Sequence, residues 1–166
     1  MVGRLVMENL ILRQADSDDL PRIAGLKIAM FTDAGLAGLL AENARYLVKR
    51  SYQALYAQGL AAHFVANEEG EIVAMAGAFI KSDLPYCYYR NPRYGFIGDV
   101  YTRPDFRRRG LARELSNRAI GWLRDKGLAE VKLLASESGR RLYESLGFTA
   151  SDEMRLRLAG AEAESP

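Results

Sequence analysis

At 166 residues, with 49% hydrophobic and 27% charged side chains, the chain can bury one full-sized core, which excludes disorder as the main reading. One cysteine and one histidine exclude an internal disulfide and leave too few ligands for a zinc site, so no metal is expected. A net charge of +2 creates no general field for nucleic acid, and the longest apolar run, Ile72–Ile80, falls far short of the roughly 20 residues of a membrane span.

Asn9–Gln14 reads as a strand. Asp16, Ser17, Asp18 and Asp19 then crowd a helix start, where such side chains cap free N–H groups and suit the positive end of the dipole. Leu20, Ile23, Leu26, Lys27, Met30 and Phe31 recur at helical spacing until Asp33–Gly38 breaks the run. Leu40, Ala44, Leu47, Val48, Ser51 and Leu55 give a second helix. Ala61–Asn67 and Glu71–Ile80 are strands around a Glu68-Glu69-Gly70 turn, and a loop with Pro85 and Pro92 follows.

Tyr94–Thr102 is the next strand, ended by Pro104. Leu111–Lys126 forms a third helix closed by Gly127, Val131–Ala135 a buried-type strand, and Ser138–Leu146 a short helix ended by Gly147. In Phe148–Leu158, Met154, Leu156 and Leu158 alternate with Arg155 and Arg157, which predicts a last strand. The order βααβββαβαβ means mixed α/β in one sheet. A single domain over 1–166 is expected, with its core at about 9–158, short flexible ends at 1–8 and 159–166, and a reduced, cytoplasmic setting with no signal peptide.

The chemistry concentrates in Gly98–Arg113, GDVYTRPDFRRRGLAR. A strand ends there and a helix begins, and a helix N-terminus presents unpaired N–H groups that can hold a phosphate. Gly110 has no Cβ and lets backbone come close to a ligand, Ala112 is small, and Arg103, Arg107, Arg108, Arg109 and Arg113 add positive charge. A solvated Arg-rich turn that touches RNA is the competing reading; aromatic interleaving there is thin, with only Tyr101 and Phe106.

The Arg107-x-x-Gly110-x-Ala112 turn resembles the acetyl-CoA signature of the GNAT superfamily of N-acetyltransferases. Leu142-Tyr143-Glu144-Ser145-Leu146-Gly147-Phe148 is similar to that superfamily's Leu-Tyr-x-x-Leu-Gly-Phe segment. The resemblance covers roughly residues 9–158. It implies a mostly antiparallel α/β (α+β) sheet of six to seven strands flanked by four helices, with strands 94–102 and 131–135 parallel and splayed. Acetyl-CoA as cosubstrate would pair its pantetheine arm with the backbone of Val100, Tyr101 and Thr102. Its pyrophosphate would rest on the amides of Arg108, Arg109, Gly110, Leu111, Ala112 and Arg113, with Arg107 opening the turn. Ser136 stands where the family often has Asn, and Gly139, where it usually has Ala, would widen the space beside the cofactor.

The implied activity is acetyl transfer to a primary amine of a small molecule or peptide, by direct attack in a ternary complex. A non-catalytic acyl-CoA-binding regulatory module is the alternative. Tyr143 holds the family's usual acid position, to protonate the leaving thiolate; a core tyrosine of the last helix is its other reading. Asp99, near the end of the splayed strand, would take the amine proton if its side chain faces the wedge, and is otherwise a structural carboxylate satisfied by nearby arginines. His63 reads as a partly buried sheet residue and Cys87 as an inert thiol. Tyr86, Tyr88, Tyr89 and Tyr94 suit either a pocket wall or a homodimer contact. Asp33, Glu42 and Asp83 are the carboxylates expected near a cationic acceptor.

Overall fold

Residues 9–84 and 91–156 are described by a computed structural model of the chain. The chain enters through strand β1 (Ile11–Gln14), and Asp16 starts the first helix: its carboxylate accepts the Asp18 N–H at 2.9 Å while Asp19 accepts the Asp16 N–H at 3.0 Å. This reciprocal cap leads through a short 3-10 turn into helix α1 (Leu20–Asp33), and Arg13 forks onto the buried Asp19 at 2.6 and 2.8 Å. Helix α2 (Ala44–Ala57) packs beside α1.

Strands β2 (Ala61–Glu68) and β3 (Glu71–Ser82) form a hairpin. Glu69 and Gly70 both take positive φ, the two-residue turn that matches the strands' own twist. Strand β4 (Arg93–Thr102), helix α3 (Leu111–Asp125), strand β5 (Val131–Leu133) and helix α4 (Arg140–Ser145) complete the order. The sheet runs β1-β2-β3-β4-β5, antiparallel except for the parallel pair β4 and β5.

The sheet is buried on both faces. On one, Ala62, Ala66, Ala74, Ala76 and Ala78 are small enough for α3 to lie close, and Leu111, Leu115, Ala119 and Leu123 fill the contact. Each of those leucines contributes roughly 1.5–3 kcal/mol of burial. On the other, Leu20 and Ile23 of α1 and Tyr52 of α2 pack on Val65, Met75 and Tyr101. Among the described residues, no helix is long and apolar enough to cross a membrane.

Among the described residues the sheet has five strands, where six to seven were expected. The missing element is the predicted strand Phe148–Leu158: residues 148–156 have no regular structure, and 157–158 lie outside the described residues. Alternation alone does not make a strand, which needs a partner edge for its backbone; Met154 is 94% and Leu156 82% exposed. Several elements are shorter than read from sequence: β1 starts at Ile11, β5 stops at Leu133, and α4 runs only from Arg140 to Ser145.

Candidate functional site

The parallel pairing of β4 and β5 lasts three residue pairs, Gly95 to Ile97 against Val131 to Leu133, yet β4 continues to Thr102. Beyond Ile97 no described residue pairs with the β5 side of β4, which is left as an open edge. The Arg103 N–H donates to the Val73 carbonyl at 2.9 Å, so Arg103 and Tyr101 turn their peptide groups toward β3. Strand alternation then directs those of Val100 and Thr102 to the open edge. The Thr102 carbonyl accepts from Arg107 Nε at 2.9 Å.

Between Thr102 and α3 the backbone takes left-handed values twice, at Arg108 (φ 65°) and Gly110 (φ 76°). Alternating conformations of this kind gather successive N–H groups into an anion-binding concavity. Among the described residues, the amides of 108–113 have no hydrogen-bond acceptor; the helical ladder begins with Glu114 N–H on the Gly110 carbonyl at 3.1 Å. A Cβ at Gly110 would meet nothing within 4 Å, so the space in front of the turn is open. Leu111 roots the turn in the core at 2% exposure. The residues present therefore fit a pyrophosphate through their backbone.

The arginines around this turn are largely engaged elsewhere. Arg107 binds the Asp33 carboxylate at 2.8 Å and lies over the Tyr101 ring. Arg109 donates to the Asp105 carbonyl at 3.1 Å and covers the Phe106 ring, and Arg113 reaches Ser145 Oγ at 2.6 Å. These three brace the turn against α1, the preceding loop and α4.

Ser136 is exposed, and its hydroxyl accepts the Gly139 N–H at 3.2 Å, which organises the entry to α4. A Cβ at Gly139 would stand 3.1 Å from both Ser136 Oγ and Tyr143 Cε2. Gly139 was expected to widen the space beside the cofactor; instead the Tyr143 ring and the serine hydroxyl occupy the room its missing side chain leaves. Tyr143 is half-buried with its ring edge-on to Phe148 at 6.0 Å. Burial raises its pKa, so its hydroxyl keeps its proton through neutral pH and can donate it.

Asp99 sits in a different setting. At the β-bulge of β4, Asp99 and Val100 together oppose Ala76, and Asp99 has φ 53°. Its side chain points to the α1/α2 face, where it is buried. Oδ1 accepts Lys27 Nζ at 2.8 Å; Oδ2 accepts the Tyr52 hydroxyl and lies 3.0 Å from His63 Nε2. Burial by itself pushes this carboxyl up, but the His63 hydrogen bond and the Lys27 charge outweigh it and hold it well below the usual range. Lysine, tyrosine and histidine, not arginines, satisfy it.

Sequence reasoning passed over Lys27 and Tyr52 and gave His63 a sheet role. His63 is fully buried, and its Nδ1 lies 2.9 Å from the Tyr56 hydroxyl. The available signal was a pair of glycines: Gly77 and Gly98 face each other across β3 and β4, and a Cβ at Gly77 would come within 3.0 Å of His63 Nε2 and 2.8 Å of Phe79. Of the carboxylates expected near an acceptor, Asp33 is taken by Arg107 and the Tyr101 hydroxyl, at 2.8 Å each. Glu42 lines a groove between α1 and the segment before α2, and Asp83 a hollow beside Arg93 and Lys132. Tyr86, Cys87, Tyr88 and Tyr89 lie outside the described residues.

A family model described as "Acetyltransferase (GNAT) family" matches residues 31–148. Among solved structures, a predicted acetyltransferase from Clostridium acetobutylicum with acetyl-CoA is 25% identical and superposes at a TM-score of 0.79 over 90% of this chain and 95% of that one. A GCN5-related N-acetyltransferase from Ralstonia eutropha JMP134 is 27% identical, with a TM-score of 0.77 over 91% and 99% of the two chains. A Trypanosoma brucei acetyltransferase is 26% identical, at 0.68 over 90% and 100%. No curated protein matches the chain in sequence.

Proposed function

The chain belongs to the GNAT acetyltransferase family, and from that premise we propose that it is an N-acetyltransferase that moves an acetyl group from acetyl-CoA to a primary amine of a small molecule or peptide. The observation that carries this reading is the turn at 108–113, whose unengaged amides adjoin the open edge of β4. A diphosphate fits the first by charge and N–H donors, and an amide-bearing arm fits the second as an added strand.

Acetyl-CoA supplies an acyl group already activated as a thioester, so no covalent enzyme intermediate is required. The amides of 108–113 bind its diphosphate, while Arg107, Arg109 and Arg113 keep the turn in place. The Val100 N–H donates to the acetyl oxygen as negative charge develops there during attack. Tyr143 donates its proton to the departing sulfur. Ser136 orders the loop that carries Tyr143.

Asp99 takes a supporting part in place of the base it suggested in sequence. Three donors already occupy its carboxylate, and its depressed pKa makes it a weak proton acceptor. Water accepts the proton of the amine, which must be neutral to attack because an ammonium has no lone pair.

Initial rates of thiol release from acetyl-CoA across a panel of amines test this function. Intersecting double-reciprocal lines with at least one amine class are expected. Parallel lines together with an inactive Cys87→Ala variant would mean an acyl-enzyme on Cys87 and contradict direct transfer.

A further inference from the structure

The point where β4 leaves β5 coincides with a buried charge cluster assembled from four elements. Pairing with β5 ends at Ile97, and the bulge residue Asp99 follows two positions later in a left-handed conformation. That conformation is unfavourable for any residue with a Cβ, and it persists only where the surroundings hold it. The holding groups are Lys27 from α1, Tyr52 from α2 and His63 from β2, all converging on one carboxylate. Lys27 also donates to the Tyr52 hydroxyl at 2.8 Å, so the ammonium ties both helices to the strand.

The bulge decides which peptide groups face the open edge. It places two residues, Asp99 and Val100, opposite Ala76. Without the extra residue, the register from Asp99 onward would slip by one, and every group beyond it would exchange sides. Val100 and Thr102 would then turn toward β3, and Tyr101 would turn its peptide groups outward.

We propose that Lys27 is a positioning residue for acetyl-CoA: through its ion pair with Asp99 it fixes the β4 bulge and so keeps the Val100 and Thr102 peptide groups on the open edge. The inference rests on the reading that acetyl-CoA lies against that edge. Lys27 itself touches neither substrate. Its ammonium acts through a carboxylate whose backbone carries the geometry.

Calorimetric titration with acetyl-CoA distinguishes this role from a direct electrostatic one. Lys27→Met should bind acetyl-CoA about tenfold more weakly or worse, the scale of coupling within one network. If Lys27 acts through Asp99, removing it should cost little once the carboxylate is gone, so Lys27→Met/Asp99→Asn, which keeps a side chain that tolerates left-handed backbone, should bind acetyl-CoA within about threefold of Asp99→Asn alone. A double variant about tenfold weaker than Asp99→Asn alone would assign the effect to the ammonium's own charge and overturn the proposal. Wild-type affinity in folded Lys27→Met would overturn it as well.

If Lys27→Met does not fold, Lys27→Gln, which keeps a donor for Asp99, undergoes the same comparison with its own Asp99→Asn double. Hydrogen exchange on the ligand-free proteins reads the bulge independently of the cofactor. The lysine variant should exchange faster at residues 98–102 than wild type, with β1 and β2 little changed; unchanged exchange there would overturn the proposal. Wild-type protein that ignores acetyl-CoA would instead overturn the cofactor reading, leaving the exchange result to decide the role of Lys27 in the bulge.

Discussion

The two sides of β4 differ in how completely their polar groups are satisfied. Toward α1 and α2, Asp99 has three donors, His63 is bonded at both ring nitrogens, and the aromatic rings of Tyr52 and Phe79 close around them. Toward β5 and α3, the amides of 108–113 and the peptide groups of Val100 point at open space. Buried polar groups left unpaired are costly, so a fold retains open donors where solvent or a ligand can reach them. On the proposed function, the closed side sets the geometry and the open side keeps its donors free for the ligand.

The largest blow to the closed side is removal of its anion. Asp99→Ala strands Lys27, Tyr52 and His63 without their common acceptor, and should cost about 3–5 kcal/mol in urea denaturation. A loss under about 1 kcal/mol would mean that the cluster is not tightly coupled.

On the open side, Tyr143→Phe keeps the ring packing on Phe148 and removes only the hydroxyl. It should lower kcat on the order of ten- to a thousandfold with little change in apparent acetyl-CoA affinity, since charge on sulfur appears only in the transition state. An equal loss in affinity and no change in kcat would make Tyr143 a packing residue.

Gly77→Ala tests the room reserved for His63. Its Cβ would press on the Phe79 and His63 rings at 2.8 and 3.0 Å. About 1–3 kcal/mol of stability should be lost, as for other overpacked sites. Gly110→Val is the matching change on the open side. It strains a left-handed position by roughly 1–2 kcal/mol, so the fold should survive while acetyl-CoA binding weakens.

Acid titration gives a smaller and more selective contrast. The folded pKa of Asp99 lies below its unfolded value, so its contribution is complete above that unfolded value and drains away as pH falls toward the folded one. The stability advantage of wild type over Asp99→Asn should stay flat from about pH 5 upward and shrink below about pH 4. A difference that instead collapsed near pH 7 would point to another titrating group.

Much of this contrast was legible in the sequence, but unevenly. The open side announced itself because its signals are local: Arg107, Gly110 and Ala112 lie within one turn, and α3 shows its apolar face in Leu111, Leu115, Ala119 and Leu123. The closed side joins Lys27, Tyr52, His63 and Asp99 from four separate elements, and no local pattern relates residues so far apart in the chain. Lys27 even counted as one more position of a helical stripe. The last strand failed for the opposite reason. Its alternation around Met154 and Leu156 is a strong local signal, yet strand formation depends on an edge elsewhere, and β5 pairs over only three residues.

On the proposed function, the turn at 108–113 and the open edge of β4 receive acetyl-CoA. Unfolding followed with and without acetyl-CoA at about 100 times its dissociation constant tests it most directly. Mass action then requires a gain of roughly 2.7 kcal/mol, visible as a higher midpoint that grows with ligand concentration and is diminished in Gly110→Val. A midpoint unmoved by saturating acetyl-CoA and by free CoA would contradict the account.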